Sequence, residues 1–217
     1  MPKEPLKYQA YQMIKDNIVN CIYAPGAIIN EELIREEIGA SRTPIRDALS
    51  RLEQEGLVKI LPKKGIIISS MSVSELNMLY EARLLIEPYV VKHYGSRIPQ
   101  ETYLEYYNLC RSYNGQVPDG TSLADLDDNF HQMFIHAADN SYFRNLYATI
   151  DSQIRRTRMI CRKTSSDRTP LTMSEHLAIV EAALKNDWKT AAAAMTSHLI
   201  ASKNEMFDYI LKNQQIT

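Results

Sequence analysis

Residues 41–49 have the sequence SRTPIRDAL, which predicts a helix with one apolar and one polar face. Proline fits the first turn of a helix, so Pro44 after Thr43 indicates that the helix begins here, with Thr43 as its cap. The polar face includes Arg46. The apolar face follows a spacing of three and four residues, at Ile45, Ala48, Leu49 and Leu52. A helix of this kind packs on a core with one side and leaves the other side for a ligand.

The segments on either side of this helix complete a small domain. Apolar residues at helical spacing predict a first helix over about 6–22, and Asn30 and Gly39 are typical of the cap and the end of a short second helix. After Gly56, two β-branched runs at 57–61 and 65–69 flank a turn at 62–64, which predicts a hairpin. Three helices followed by a hairpin form a winged helix-turn-helix, which we predict for residues 1–70.

The remainder of the chain has the pattern of an all-helical bundle. Residues 71–73 are the predicted linker and residues 74–217 the predicted second domain. Its helices are predicted at about 72–94, 99–112, 123–138, 141–161, 172–185 and 188–212, with loops at 114–122 and 164–170. Thr172 and Glu175 have the spacing of a capping box for the fifth of these helices. The predicted fold class is mainly α, with β structure confined to the two-stranded wing.

Composition restricts the class of protein. Of the 217 residues, 45% are hydrophobic, 24% are charged and only 7 are glycine, values that favour a folded, mainly helical, soluble chain. No run approaches the roughly 18 apolar residues of a membrane-spanning helix, and the first residues lack the apolar core of a signal peptide. The three cysteines are isolated and odd in number, which argues against a disulfide framework. We therefore expect a cytoplasmic protein with no membrane partner.

Basic side chains at two places favour a nucleic-acid ligand, although the formal net charge of −1 does not. Arg42 and Arg46 lie at the N-terminal end and on the polar face of the third helix, from which guanidinium groups can reach guanine edges or phosphates. Lys63 and Lys64 occupy the tip of the predicted wing, which can meet the neighbouring groove or backbone. A three-helix domain that binds another protein is the alternative.

Residues 6–70 resemble the winged helix-turn-helix of GntR-family transcription regulators. The resemblance rests on APG at 24–26, SRTPIRDAL at 41–49, LEQEGL at 52–57 and the glycine at 65. Some family members use a basic residue early in the second helix, where this sequence has Glu32, and Arg35 one turn later is a candidate substitute. The resemblance implies binding of double-stranded operator DNA, with contacts from Ser41, Arg42, Thr43, Arg46 and the wing residue Gly65.

Four side chains of the second domain are candidate metal ligands. Asp127 and His131 are four residues apart on one predicted helix, so both project from the same face. His176 and His198 lie on the fifth and sixth helices of the bundle. One carboxylate and three imidazoles suit Zn²⁺, Ni²⁺, Mn²⁺ or Fe²⁺, and the helices of a bundle can direct such groups into its interior. From spacing alone, scattered structural histidines remain the alternative.

The same residues carry a second resemblance, which covers roughly residues 74–212. DDNFH at 127–131, EH at 175–176 and HL at 198–199 are similar to the ligand motifs of the FCD domain, the larger effector-binding class of the GntR family. This implies that Asp127, His131, His176 and His198 bind a divalent transition metal such as Zn, Ni or Mn. It also implies a small carboxylate or hydroxycarboxylate effector beside the metal, and it associates Arg83 with the effector pocket. An internal ion pair with Glu87, four residues later, is the alternative role for Arg83.

These expectations describe a homodimeric transcription regulator and not an enzyme. Two winged domains would bind the half-sites of a pseudo-palindromic operator, and effector binding would relieve repression, with activation left open. The main alternative is a metal-dependent hydrolase or lyase fused to a DNA-binding domain, with Glu175 as a weak candidate for the general base. A second alternative limits the bundle to dimerisation and the metal to a structural role.

Overall fold

The computed structural model describes residues 5–115, 122–162 and 169–214, which are mainly helical. The predicted loops at 114–122 and 164–170 therefore lie largely outside the described residues. The chain forms two compact units: one extends to Met71 and includes Arg155–Ile160, and the other contains the remaining residues from Ser72 onwards. The mainly α fold class is confirmed, whereas the linker at 71–73 and the exact domain bounds stay predictions.

The first unit contains three helices and a small antiparallel sheet. In order along the chain the elements are α1 (Leu6–Val19), β1 (Ile28–Ile29), α2 (Glu31–Ile38), α3 (Arg42–Gln54), β2 (Val58–Leu61) and β3 (Gly65–Ile68). The hairpin of β2 and β3 agrees with the sequence analysis, and β1 adds a third strand on the other side of β3. The two residues of β1 are too few to show the alternation of apolar and polar residues that predicts a strand. β1 is a strand because it pairs with β3.

The apolar face of α3 forms part of the core of this unit. Ile45, Ala48, Leu49 and Leu52 are each no more than 2% exposed, as the spacing predicted. They pack with α1, whose Ile14 and Ile18 are also buried. Full burial of an aliphatic side chain contributes about 1.5–3 kcal/mol. This packing fixes the rotation of α3 about its axis and leaves its polar face exposed.

The described part of the second unit is helical. Its helices are α4 (Val73–Tyr94), α5 (Gln100–Ser112), α6 (Leu123–Ala137), α7 (Ser141–Arg162), α8 (Thr169–Leu184) and α9 (Trp188–Gln214), with a 3₁₀ turn at Gly95–Arg97. Within α7, Arg155–Ile160 are grouped with the first unit. Helix α4 packs against α6 and α9, and α8 packs against α5 and α9. These contacts bring α6, α8 and α9, the helices that carry the candidate metal ligands, around one interior. Within the described residues, no helix has the length and apolar character needed to span a membrane.

Two helix starts differ from the sequence analysis. Helix α3 begins one residue before Thr43, and Ser41 occupies the N-cap position, so Thr43 is not the cap. Helix α8 begins three residues before Thr172, which places the predicted capping box inside the helix. Pro170 suits the first helical turn, where the N–H group that proline lacks has no partner to lose. A cap at Thr172 was therefore not needed to start α8.

Gly65 combines a backbone conformation and a close contact that favour glycine. Its φ is +111°, and a Cβ atom there would lie 2.9 Å from the carbonyl oxygen of Ile29 on β1. We expect Gly65→Ala to lower the free energy of unfolding of the full chain by about 1–3 kcal/mol, measured by urea denaturation. Gly26→Ala is the matched control, because Gly26 also has a positive φ, of +78°, but no described neighbour within 4 Å. A loss no greater than that of the control would contradict the importance of the β1 contact.

Candidate metal centre and nucleic-acid interface

The four candidate ligands of the second unit converge in its interior. Asp127 and His131 lie on α6, His176 on α8 and His198 on α9. Each offers one ligand atom, and these atoms all lie within 4.8 Å of one another. All four residues are buried, between 1% and 8% exposed. The structure therefore brings together residues that are separated by up to 71 positions in the sequence.

The spacing of the donor atoms fits a single ion. The Nε2 atoms of His131 and His198 are 3.2 Å apart. Oδ1 of Asp127 is 3.4 Å from Nε2 of His176, and Oδ2 of Asp127 is 3.9 Å from Nε2 of His131. Nitrogen and oxygen ligands about 2.0–2.2 Å from one transition metal lie roughly 3–4 Å from each other. The chemistry and the spacing of this set thus both suit a divalent transition metal.

Two of the imidazoles contact a buried or half-buried carboxylate through Nδ1, the ring nitrogen on the side away from the cluster. Nδ1 of His131 is 2.6 Å from Oε2 of Glu87, and Nδ1 of His198 is 2.8 Å from Oε2 of Glu175. With Nδ1 as the donor in each contact, the lone pair of Nε2 points toward the centre of the cluster. A carboxylate behind a histidine ligand fixes the ring and makes its nitrogen a better metal ligand.

Glu87 also pairs with Arg83 inside the bundle. The Nε atom of Arg83 donates to Oε1 of Glu87 at 2.5 Å, and the hydroxyl of Tyr147 donates to the same oxygen at 2.9 Å. Although burial alone would raise the pKa of Glu87, the charge of Arg83 and the hydrogen bonds from His131 and Arg83 hold it well below its usual range. The structure therefore contains the Arg83–Glu87 ion pair that the sequence analysis gave as the alternative role for Arg83.

Burial keeps His198 in the form that binds metal. Burial lowers the pKa of His198, the hydrogen bond to Glu175 and the charge of Asp127 oppose that shift, and the charge of Arg83 reinforces it. A neutral imidazole is the form that binds metal ions.

An aromatic ring positions the third imidazole. Phe130 on α6 stacks on His176 with ring centroids 3.9 Å apart and an angle of 17° between the planes. Phe130 is fully buried, so this side of the cluster is apolar. Sequence analysis quoted Phe130 only as part of the motif at 127–131 and assigned it no role. It did not identify Tyr147 or foresee the contact of Glu87 with His131. The only sequence signal for Glu87 was its position four residues after Arg83.

The residues predicted to contact DNA are located on one side of the first unit's helix α3 and at the tip of the hairpin. Ser41, Arg42, Thr43 and Arg46 are exposed, as are Lys63 and Lys64 in the turn between β2 and β3. A cleft of about 630 Å³ is lined in part by Arg46, Lys63, Lys64 and Gly65. Helix α3 and the wing therefore border the same cleft, in agreement with the arrangement expected of a winged helix-turn-helix.

Two family models match the chain. The FCD domain model matches residues 78–201, and the model of the bacterial regulatory proteins of the gntR family matches residues 6–68. The chain belongs to the GntR family. As a GntR-family protein with an FCD domain, it is a transcriptional regulator, as the sequence analysis predicted.

Curated relatives of this GntR-family chain bear regulator names. It is 30% identical to the HTH-type transcriptional repressor RspR of Escherichia coli K12, over 91% of this chain and 87% of that protein. It is 27% identical to the Nta operon transcriptional regulator of Aminobacter aminovorans, over 88% of this chain and 87% of that protein. These names support the prediction that the chain is not an enzyme, and they disfavour the hydrolase or lyase alternative.

Solved structures share the fold of this GntR-family chain. A GntR transcriptional regulator from Rhodococcus sp. RHA1 gives a TM-score of 0.77 at 17% identity, over 92% of this chain and 96% of that chain. The Zn²⁺-bound FCD domain of TM0439 gives a TM-score of 0.56 at 21% identity, over 65% of this chain and 98% of that domain. At these identities the comparisons establish the fold, and the zinc ion is a feature of TM0439.

Removal of the charge on Glu87 should destabilise the second unit. We expect Glu87→Gln to lower the free energy of unfolding by about 3 kcal/mol, because Arg83 would keep a buried positive charge without its counter-ion. Glu81→Gln is the matched control, since Glu81 lies on the same helix and is exposed. Urea denaturation of the full chain in the presence of a chelator measures both variants without a contribution from metal. Equal stability of the two variants would show that the ion pair is dispensable.

Proposed function

We propose that this chain is a homodimeric transcription repressor that binds operator DNA and responds to a small carboxylate bound beside a metal ion in the FCD domain. The observation that carries the proposal is the convergence of Asp127, His131, His176 and His198 inside the bundle. The alternative, a structural metal in a domain that only dimerises, predicts metal binding by the same four groups without any response of DNA binding to carboxylates.

The donor set favours a transition metal over Mg²⁺ or Ca²⁺. Three imidazole nitrogens and one carboxylate oxygen suit Zn²⁺, Ni²⁺ or Mn²⁺, whereas Mg²⁺ and Ca²⁺ prefer oxygen ligands. Glu87 and Glu175 orient two of the rings toward the ion. A metal held by these four residues would act as a Lewis acid to which an oxygen of a small molecule could bind.

A metal ion bound in the cluster would favour an anionic effector. Arg83 is only 3% exposed and lies near the histidine cluster, to which it is linked through Glu87. A carboxylate or hydroxycarboxylate would bring its own negative charge and oxygen ligands to the metal. We propose that Arg83 contributes to effector binding through its positive charge, and that its pair with Glu87 keeps that charge in place.

The DNA-binding role belongs to the first unit. Ser41, Arg42, Thr43 and Arg46 at the start of α3 would enter the major groove, and Lys63, Lys64 and Gly65 of the wing would contact the adjacent backbone or groove. Two copies in a homodimer would bind two half-sites of the operator. Effector binding would shift the population toward arrangements of the dimer that do not match the spacing of the half-sites.

Metal binding is tested most simply at His176. The wild-type chain dialysed against Zn²⁺, Ni²⁺ or Mn²⁺ is expected to retain about one equivalent of at least one ion per chain. His176→Ala should bind that ion more than about 100-fold more weakly, and Glu175→Gln about 10–100-fold more weakly, as measured by competition with a chelating indicator. His136→Ala is the control, because His136 lies on α6 and is exposed. Full retention of the ion by His176→Ala would refute the ligand assignment.

Effector binding is tested by the release of DNA. The probe is a duplex that the wild-type chain selects from a random-sequence library, and its binding is followed by fluorescence anisotropy. Addition of acetate, lactate, malate or citrate to the metal-loaded chain should weaken binding by about 5–150-fold for at least one of these carboxylates. Metal content is measured after each addition, because citrate also chelates metal. His176→Ala should still bind the duplex but should not respond. The same response in both chains would place the effector elsewhere.

A further inference from the structure

Two of the arginines of α3, Arg42 and Arg46, are paired with carboxylates at the start of α2. Nε of Arg46 lies 3.2 Å from Oε2 of Glu31, and Nη2 of Arg42 lies 3.9 Å from Oε2 of Glu32. The other oxygen of Glu32 accepts from Nη1 of Arg35 at 2.6 Å. Both arginines proposed to bind DNA therefore face negative charge on the neighbouring helix of the same unit.

A contribution to folding stability does not explain why these ion pairs are present. The side chains of Arg42 and Arg46 are 66% and 67% exposed, and exposed ion pairs contribute little to folding. Acidic residues in the first turn of α2 do stabilise its N-terminus. That effect explains why glutamates are favourable at these positions, but it does not require them to contact α3.

The location of the pairs affects any DNA that approaches the unit. Glu31 lines the same cleft as Arg46, Lys63 and Lys64. A phosphate in this cleft would be attracted by three cationic groups and repelled by the Glu31 carboxylate. Because phosphates are common to all sequences, a carboxylate here weakens the part of the binding that carries no sequence information.

We propose that Glu31 and Glu32 determine DNA specificity by competing with phosphates for Arg46 and Arg42. On an arbitrary sequence, a phosphate must displace a carboxylate that is already paired with the arginine, so binding is weak. On the preferred sequence, contacts to base edges compensate for this loss, and the carboxylate holds the guanidinium near the position from which it reaches the groove. The inference rests on the proposed DNA-binding function of α3.

The experiment compares the full-length wild-type chain with the double variant Glu31→Gln/Glu32→Gln. Two probes are used at one fixed salt concentration: a duplex of arbitrary sequence, and the duplex that the wild-type chain selects from a random library. The double variant is expected to bind the arbitrary duplex about tenfold more tightly and the selected duplex with a clearly smaller gain. The ratio of the two affinities, which measures specificity, should therefore fall.

The control for charge alone is Glu36→Gln. Glu36 is exposed on α2 and, among the described residues, forms no ion pair with Arg42 or Arg46. It lies five residues after Glu31, which places it about 140° around the helix. Glu36→Gln removes one negative charge, as each substitution in the double variant does. It should nevertheless leave the ratio of the two affinities unchanged.

A double-mutant cycle separates competition from a merely structural role. In a chain that carries Arg46→Ala, the substitution Glu31→Gln should raise affinity for the arbitrary duplex clearly less than it does in the wild-type background, because the paired arginine is absent. A structural effect on α2 would persist in that background. Thermal unfolding of each variant checks that α2 remains folded.

The outcomes separate this inference from the proposed function. Failure of the wild-type chain to bind either duplex would overturn the proposed function and this inference with it. Binding by the wild type with an unchanged specificity ratio in Glu31→Gln/Glu32→Gln would overturn the inference alone. An equal gain in the Glu36→Gln control, or an undiminished effect in the Arg46→Ala background, would also overturn it.

Discussion

The ion pair between Arg83 and Glu87 is the interaction on which the candidate metal centre depends most. Glu87 is fully buried, with Oε1 contacting Arg83 and Tyr147 and Oε2 contacting His131. A buried carboxylate without a counter-ion would be strongly unfavourable, and so would the buried arginine on its own. Because the two charges balance, α4 can present a carboxylate to His131 in the interior of a bundle.

The two units use ion pairs in different ways. In the bundle the pair is buried and hydrogen-bonded, so it fixes the direction of a ring that faces the ligand cluster. On α2 and α3 the pairs of Glu31 with Arg46 and of Glu32 with Arg42 are exposed and contribute little to stability. They instead affect how tightly the phosphates of DNA bind to this surface. Pairs of arginine and glutamate therefore support a defined metal-binding site in the second unit and a surface selective for DNA sequence in the first.

Local patterns were sufficient for most of the fold. The spacing of Ile45, Leu49 and Leu52 predicted the buried face of α3, and the four-residue spacing of Arg83 and Glu87 suggested their ion pair. Spacing did not indicate that His176 and His198 reach α6, and that expectation came from the resemblance to FCD domains. Strand β1 and the contact of Glu87 with His131, 44 residues away, had no local signal, because both arise from packing between distant segments.

We propose that Asp127, His131, His176 and His198 bind one metal ion. Anomalous diffraction from crystals of the full chain grown with Zn²⁺, Ni²⁺ or Mn²⁺, recorded at the absorption edge of that metal, tests it most directly. We expect a strong peak about 2.0–2.2 Å from one Asp127 oxygen and from the Nε2 atoms of the three histidines. A peak elsewhere in the chain, or no peak within the bundle for any of the three ions, would contradict it.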